Sequence, residues 1–304
     1  MKLHQFLIKE GFTRSDTGSC LYLMTRRRKK PKSSQLKVYD ESDRDYIQIA
    51  LVVYVDDLTA RVDLACPEAR KYYDQFVKHM FSEFVVEDRG ILDAMLGYKI
   101  DYDKEQGILK LTQKSCLLEL LERTGLQECK TKKTPAEAGI KPHVDWCSDP
   151  DTEDYANRVG SAVWLSRGSK PETAWTTGML TRFLTKQSKK HYDMTIRLII
   201  YLSTTRDRGL VYRRQEGKLK LVCYVDGDWL TDYGNSGDNR KCTTGYALLL
   251  CGAAVSWRSF KQQRVAGSST ESEYQSLWSA TREVMHVRRQ MKECGFEQFE
   301  PKPL

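Results

Sequence analysis

The run from Ile47 to Val55 constrains the fold of this chain more than any other segment. It is rich in β-branched residues and ends in Tyr54-Val55-Asp56-Asp57, before apolar residues resume at Leu58. β-Branched side chains favour strands and Asp is a common turn residue. The run therefore predicts a largely buried strand that enters a hairpin with acids at its tip.

Two interpretations of Asp56 and Asp57 are open. A solvated turn explains both residues without any ligand, because Asp is favoured in turns. A hard divalent ion explains them equally well, since adjacent carboxylates repel each other and a cation relieves that repulsion. Asp side chains bind Mg²⁺, and paired ions can hold a phosphoryl group during in-line displacement.

Composition excludes several classes of protein. A chain of 304 residues suffices for about two globular units, no apolar run approaches the ~20 residues of a membrane span, and the first residues lack a secretory signal. Nine cysteines without a CxxC pair argue against a disulfide framework and a zinc site. We expect an intracellular protein, cytoplasmic or nuclear, with no membrane partner. Its net charge of +8 favours polyanions.

A second pair of acids stands in the last third of the chain. Asp226 ends a predicted strand and precedes Gly227, and Glu273 falls in the first turn of a long helix predicted from about Thr270 to Lys292. The intervening hairpin can bring the strand end and the helix start together, which suggests a metal site. Alternatively, Glu271 and Glu273 are ordinary first-turn acids that favour the helix dipole.

Basic and aromatic residues alternate between Trp257 and Arg264. Arg258, Lys261 and Arg264 are candidates for contact with a phosphate backbone, with Phe260 available for stacking. The alternative is that Trp257 belongs to the core and the cations are simply exposed.

The remaining pattern predicts both helices and strands. Helices are expected over Leu3 to Gly11, Pro67 to Phe81, Ser115 to Arg123, Tyr155 to Ser166, Thr173 to Thr185 and His191 to Thr204. Strands are expected over Ser19 to Met24, Phe84 to Val86, Leu96 to Tyr102, Ile108 to Thr112, Lys218 to Asp226, Thr243 to Cys251 and Ala254 to Ser259. Solvated connections are expected over Arg26 to Ser34 and Thr131 to Asp151.

The segment from Leu51 to Leu58 resembles the YVDD motif of copia-type LTR retrotransposon reverse transcriptases. Further segments are similar to this family in the same order: Asp88-Arg89-Gly90, Leu96 to Ile100, Leu109 to Lys114, Lys133-Thr134-Pro135, Val159 to Leu165, Asp226 to Trp229, Arg240 to Tyr246, Val255-Ser256-Trp257, Lys261-Gln262-Gln263 and Ser268 to Tyr274. The resemblance covers essentially the whole chain, and the ordered series is far more specific than a lone YVDD.

This resemblance implies an α+β fold in three parts. Residues 1–114 correspond to the C-terminal part of a reverse transcriptase palm, and residues 115–214 to a helical thumb or connection region. Residues 215–304 correspond to the N-terminal part of an RNase H-like α/β domain. The implied partners are primed nucleic acid or an RNA-DNA hybrid and the rest of a Pol polyprotein.

The resemblance also assigns chemistry to the four acids. Asp56 and Asp57 match the metal-binding carboxylates of the polymerase palm, and Asp226 and Glu273 match two carboxylates of RNase H. Glu273 matches better than Glu271 because Tyr274 follows it. The family uses Mg²⁺ in two-metal sites for DNA synthesis and for hydrolysis of RNA in a hybrid.

The family has a further palm aspartate upstream and a third RNase H carboxylate downstream of the segments matched here. We therefore expect that this chain alone catalyses neither reaction, since each site lacks a metal ligand. Two alternatives are a non-catalytic nucleic-acid-binding or assembly protein derived from a decayed retroelement, and an open reading frame with neither function nor a stable fold.

Overall fold

The computed structural model describes residues 2–27, 46–140, 153–185, 187–217, 219–229 and 241–297. Contacts divide the chain into two compact units. Unit 1 comprises Met1–Leu92, Gln215–Lys220 and Met285–Pro301, and unit 2 comprises Asp93–Arg214, Leu221–Val284 and Lys302–Leu304. Within the described ranges, no helix combines the length and the apolar character that crossing a membrane requires.

Unit 1 contains a four-stranded antiparallel sheet in the order β1-β2-β3-β4. Its elements are α1 (Lys2–Lys9), β1 (Thr13–Arg14), β2 (Leu21–Arg27), β3 (Tyr46–Tyr54), β4 (Asp57–Arg61) and α2 (Pro67–Glu83). The predicted strand is confirmed as β3. Its first half is buried, with Ile49 and Leu51 fully so, whereas Val52 and Tyr54 near its end are exposed, so the predicted burial holds only in part. The helix predicted from Pro67 is also confirmed, as α2. Proline fits its first turn because no backbone amide donor is needed there.

The core of unit 1 lies between this sheet and the two helices. Leu7 from α1 and Phe76 from α2 pack in one cluster with Ile49 and Leu51. The strand expected over Phe84 to Val86 is wrong. Phe84 instead ends α2 and packs edge-on against Phe6, with 5.2 Å between the ring centroids, and Val85 is fully exposed.

Unit 2 contains a second four-stranded antiparallel sheet, ordered β5-β6-β7-β8. Its strands are β5 (Ala94–Met95), β6 (Tyr98–Asp103), β7 (Ile108–Thr112) and β8 (Leu210–Arg213). The strand expected over Leu96 to Tyr102 is confirmed as β6 but begins only at Tyr98, because Leu96 and Gly97 form a turn with φ of 52° and 76°. β8 was not predicted, since four residues give too short a pattern.

Four helices form the largest core of unit 2 and confirm the predicted helical stretch. They are α3 (Lys114–Thr124), α4 (Glu153–Gly168), α5 (Ala174–Leu180) and α6 (Lys189–Thr204). Leu121, Leu165, Leu180 and Leu198 are almost fully buried among them. The stretch around α5 also contains short 3₁₀ turns on both sides.

The buried side chain of Lys170 forms hydrogen bonds with the backbone at the C-terminal end of α6. Its Nζ donates to the carbonyl oxygens of Thr205 at 2.5 Å and Arg208 at 2.8 Å. These carbonyls lie just beyond the last helical turn, where no intrahelical donor remains to satisfy them. Burial lowers the pKa of Lys170 below its usual value.

The third sheet is antiparallel, has the order β11-β10-β9 and also lies in unit 2. It consists of β9 (Val222–Asp228), β10 (Thr243–Leu250) and β11 (Ala253–Lys261), and is followed by α7 (Ser269–Glu293). These elements confirm the three strands and the long helix predicted for this region. The last turns of α7 belong to unit 1, where the Glu293 carboxylate accepts from Ser15 and its carbonyl accepts from Gln48 at 2.7 Å.

The chain is thus a mixed α and β protein whose described sheets are antiparallel, which agrees with the α+β prediction at that level. The division at residues 114 and 214 remains a prediction; β8, from the expected helical part, pairs with β7, from the expected palm part.

Two predicted connections fall partly outside the described ranges. In the first connection, Arg26 and Arg27 end β2, and residues 28–34 are not described. In the second, residues 141–151 are not described.

Candidate carboxylate sites and basic surface

The β3–β4 hairpin holds Asp56 and Asp57 at its tip. Tyr54 pairs with Asp57 in the last rung, so Val55 and Asp56 form a two-residue turn. Both aspartates are exposed. The predicted hairpin with acids at its tip is therefore confirmed, and adjacent carboxylates are offered to solvent from the turn between β3 and β4.

The backbone of this turn is unusual for its sequence. Val55 has a φ of 52°, whereas Asp56 keeps a negative φ, which is the φ pattern of a type II′ hairpin turn. Glycine is the usual first residue of such a turn because a β-branched side chain is strained at positive φ. Such strain persists only where the surrounding structure holds it.

The second pair of acids lies where β9 packs against α7. Gly227 is buried, and a Cβ added to it would lie 2.8 Å from the carbonyl oxygen of Ser272 and 2.8 Å from the Oγ of Ser276. Only a residue without a side chain permits the strand to approach the helix this closely. The strand and the start of the helix are thus brought together, as the sequence predicted.

Asp226 and Glu273 flank this contact on either element. Side chains alternate along a strand, so Asp226 emerges on the face opposite the one on which Gly227 meets the helix. It is exposed, as is Glu273, which follows Ser272 by about 100° around the helix. The backbones therefore lie close, but this alternation turns Asp226 away from the helix that carries Glu273. A site shared by the two carboxylates stays a prediction.

Glu271 has a separate structural part at the start of α7. Its Oε2 accepts from the backbone amide of Gly267 at 2.7 Å, and its own amide donates to the Oγ of Ser268 at 3.1 Å. These are reciprocal capping bonds of a helix N-terminus. They engage Glu271 in the cap, whereas the choice of Glu273 as the site residue stays a prediction.

A buried polar cluster below this contact was missed by the sequence analysis. The Nε2 of Gln262 donates to the carbonyl oxygen of Ser272 at 2.9 Å and lies 3.2 Å from the hydroxyls of Thr244 and Ser276. Those two hydroxyls are 2.8 Å apart. The cluster joins β10, the end of β11 and the first turns of α7. Apart from the resemblance at Lys261-Gln262-Gln263, no local pattern marks it.

The three basic candidates are not equivalent. Arg258 and Lys261 line a cleft of unit 2, and the Arg258 guanidinium lies 4.6 Å from the centroid of the Phe260 ring. Arg264 is exposed beyond the end of β11, and it is not among the described residues that line that cleft. Trp257 is half-buried, and its Nε1 donates to the carbonyl oxygen of Ser166 at 2.9 Å.

Carboxylate oxygens are suitable Mg²⁺ ligands, and Mg²⁺ is often held by one or two carboxylates together with waters and substrate phosphates. The exposed pair at Asp56 and Asp57 fits this pattern. Within the described residues, no three His, Cys, Asp or Glu side chains converge as a complete ligand set.

Curated proteins match the chain along its whole length. It is 26% identical to the Retrovirus-related Pol polyprotein from transposon TNT 1-94 of Nicotiana tabacum, over 99% of this chain and 21% of that protein. It is also 26% identical to the Retrovirus-related Pol polyprotein from transposon RE2 of Arabidopsis thaliana, over 99% of this chain and 19% of that protein. The chain spans about a fifth of the length of these two relatives.

A shorter match has higher identity. Over 131 residues the chain is 39% identical to the Secreted RxLR effector protein 161 of Plasmopara viticola. The matched segment covers 43% of this chain and 89% of that protein. No protein-family model matches the chain. No solved structure matches it.

Proposed function

This chain belongs to the copia-type LTR retrotransposon Pol polyproteins, and we propose that it is a segment of the reverse transcriptase and RNase H region that binds primed nucleic acid or an RNA-DNA hybrid. In this proposal Asp56 and Asp57 are the carboxylates of the polymerase palm, and Asp226 and Glu273 are carboxylates of the RNase H-like part. The rest of a Pol polyprotein is the proposed protein partner.

The observation that carries the proposal is the acidic hairpin tip. A two-residue turn between the paired strands β3 and β4 fixes the backbone of Asp56 and Asp57 and leaves both side chains exposed. Two fixed carboxylates open to solvent are suited to share an ion with a phosphate ligand.

When bound, Mg²⁺ would supply charge stabilisation at a phosphoryl group. In the palm-like unit, Asp56 and Asp57 would hold it. At the β9–α7 contact, Gly227 lets the strand approach the helix, and Glu271 caps the helix that carries Glu273. These residues would fix where an ion and its phosphate ligand can lie.

We further propose that the 304-residue chain alone catalyses neither DNA synthesis nor RNA hydrolysis. In this proposal each site has two of the carboxylates that the family uses, and the resemblance assigns the remaining ones to segments other than those matched here. A two-metal site stabilises both the attacking and the leaving oxygen, so a missing ligand costs orders of magnitude in rate.

Metal binding tests the site assignment. Mn²⁺ can replace Mg²⁺ as a paramagnetic probe, and its binding can be titrated by electron paramagnetic resonance. We expect Asp56→Asn with Asp57→Asn to weaken binding in the presence of a primed duplex by at least about tenfold. The matched control is Glu87→Gln with Asp88→Asn, which alters another exposed adjacent pair in unit 1. Equal loss in both double variants would refute the palm site.

Activity assays test the second part of the proposal. We expect the purified chain neither to extend a primed template nor to cleave the RNA of a labelled hybrid above a protein-free control, with Mg²⁺ present. Primer extension that disappears in Asp56→Asn would overturn the proposed inactivity.

The basic surface favours a second candidate function, a non-catalytic nucleic-acid-binding or assembly protein. Arg258 and Lys261 stand together on β11 in the same cleft. Hybrid binding that weakens with salt and is unchanged in Glu273→Gln would favour this candidate. Loss of Mn²⁺ binding in the same variant would favour the carboxylate site.

A further inference from the structure

Unit 2 contains a cleft of about 1010 Å³ that none of the proposed carboxylates lines. Its walls come from β5 to β8, from α4 and α5 and from β11. All of these lie in unit 2, so the cleft belongs to one compact body. Its volume is at the upper end of the range for small-molecule pockets, roughly 300–1,000 Å³, which favours a ligand longer than one small metabolite.

The charged groups of the cleft have one sign. The basic residues in its lining are Arg167, Arg182, Arg258 and Lys261, and its described lining contains no Asp or Glu. Glu283, outside the lining, accepts a hydrogen bond from the Oγ of the lining residue Ser256 at 2.7 Å. The lining therefore has a local excess of positive charge that favours an anionic ligand.

Aromatic rings accompany these cations. Tyr98, Tyr212, Trp257 and Phe260 all line the cleft and are all half-buried. Each ring thus keeps part of its surface accessible while the rest packs against the protein. Cations interleaved with partly exposed rings are the combination that binds the phosphates and the bases of a nucleic-acid strand.

Several of these groups are held in place before any ligand binds. The Trp257 Nε1 donates to the carbonyl oxygen of Ser166 at 2.9 Å, and the Tyr212 hydroxyl donates to that of Ala254 at 2.7 Å. The Arg258 guanidinium stacks over the Phe260 ring at 4.6 Å. These groups are therefore already ordered when a ligand binds, so less conformational entropy is lost on binding.

We propose that this cleft is a binding site for single-stranded nucleic acid, with Arg167, Arg182, Arg258 and Lys261 contacting phosphates and Phe260 stacking on a base. The inference rests on the proposed function only in taking nucleic acid as the ligand. Single strands fit better than duplexes because unpaired bases expose faces that aromatic side chains can stack on. An acidic peptide would use the cations but would leave the rings without stacking partners.

The test is fluorescence anisotropy with a labelled 15-nucleotide oligo(dT), in buffer with EDTA and without Mg²⁺. We expect Arg167→Gln with Arg258→Gln to weaken binding at least tenfold. The plot of log affinity against log salt should become shallower by about 1.4, since each phosphate contact on a single strand contributes about 0.7. Phe260→Leu, which keeps an apolar side chain, should weaken binding about fivefold or more through lost stacking.

The matched control is Arg123→Gln with Arg206→Gln, which removes the same charge from exposed positions of unit 2 outside the cleft. It should change affinity less than twofold. A cooperative thermal melt of every variant confirms that it is folded. Equal loss in the control and the cleft variant would overturn the proposal, because it would show a diffuse charge effect. Equally strong competition by poly-glutamate would overturn it in favour of an acidic peptide.

The outcomes of this experiment distinguish failure of the cleft proposal from failure of the proposed function. If the cleft variant binds normally while Mn²⁺ binding still depends on Asp56, the cleft proposal is wrong and the palm assignment stands. If oligo(dT) binding depends on Arg258 and Mn²⁺ binding ignores Asp56, the opposite holds.

Discussion

Gly227 of β9 and Ser272 of α7 are so close that a single methyl group on Gly227 would lie 2.8 Å from the Ser272 carbonyl oxygen. That oxygen belongs to the helix backbone and cannot turn aside as a flexible side chain would. The contact sets the spacing between the strand of Asp226 and the helix of Glu273. Any site that uses both acids depends on this spacing.

Gly227→Ala should therefore destabilise unit 2. The added Cβ must push β9 away from α7, and overpacking of this kind costs about 1–3 kcal/mol in unfolding free energy. Urea denaturation followed by circular dichroism measures the loss.

Gly245→Ala is the matched control for this prediction. Gly245 pairs with Asp226 on the neighbouring strand β10, and a Cβ there would meet no atom within 4 Å. Its effect should lie within about 1 kcal/mol of zero, since alanine in a strand loses less backbone entropy than glycine. Equal destabilisation by the two substitutions would show that the approach of β9 to α7 is not the cause.

Gln262→Leu should destabilise the same region through lost hydrogen bonds. The amide of Gln262 reaches the backbone of Ser272 and the hydroxyls of Thr244 and Ser276, all from a buried position. Leaving such buried groups without this donor costs about 1–3 kcal/mol. Gln263→Leu, at the exposed next residue, should be nearly neutral in the same denaturation experiment. A neutral Gln262→Leu would mean that the buried amide does not support α7.

Local patterns predicted the elements whose partners are near in sequence. The β-branched run before Asp56 has its hairpin partner β4 directly after it, so one segment contained both strands and the turn. The α2 helix could be located from Pro67 and its apolar spacing. In both cases the side chains themselves specify the period and the stop.

Elements that depend on distant partners could not be predicted in this way. β8 begins at Leu210 and pairs with Leu111, so its strand character is set by residues far away in the chain. Phe84 and Val85 have strand propensity but no strand beside them in the described structure, and Phe84 packs against the core instead. Gln262 is likewise recognisable as a core polar residue only once β10 and α7 enclose it.

The pH dependence of stability should report the burial of His191. This side chain is fully buried and stacks on Phe183 with 4.0 Å between ring centroids. Burial lowers the pKa of His191 to about 4, against about 6.5 when unfolded. Below pH 6.5 the unfolded chain therefore binds the extra proton, and the folded chain loses stability as the pH falls towards 4, by about 3 kcal/mol in all.

Urea denaturation at several pH values between 7 and 4 measures this loss. His191→Gln removes the titrating group and keeps a polar side chain near Ser188, so its stability should vary less across the same window. The difference between the two curves isolates His191 from carboxylates that titrate below pH 5. Parallel curves would show that burial of His191 does not govern the acid sensitivity.

The strained turn beside the acids leads to the last prediction. Val55 has a φ of 52°, where an L-residue pays about 1–2 kcal/mol and glycine pays no steric cost. The first residues of two other hairpin turns, Leu96 and Cys251, have similar φ values, but a glycine follows each of them. Val55 is followed by Asp56 instead, and its strain lies next to the proposed metal ligands.

Val55→Gly should therefore raise the unfolding free energy by about 0.5–1 kcal/mol, after the greater backbone entropy of glycine in the unfolded chain is subtracted. The same substitution should weaken Mn²⁺ binding, because a freer turn no longer fixes Asp56 and Asp57. Val53→Gly, within the strand, should instead lower stability, since Val53 packs against the core of unit 1. A Val55→Gly variant that is both less stable and unchanged in Mn²⁺ affinity would contradict a strained turn kept for metal binding.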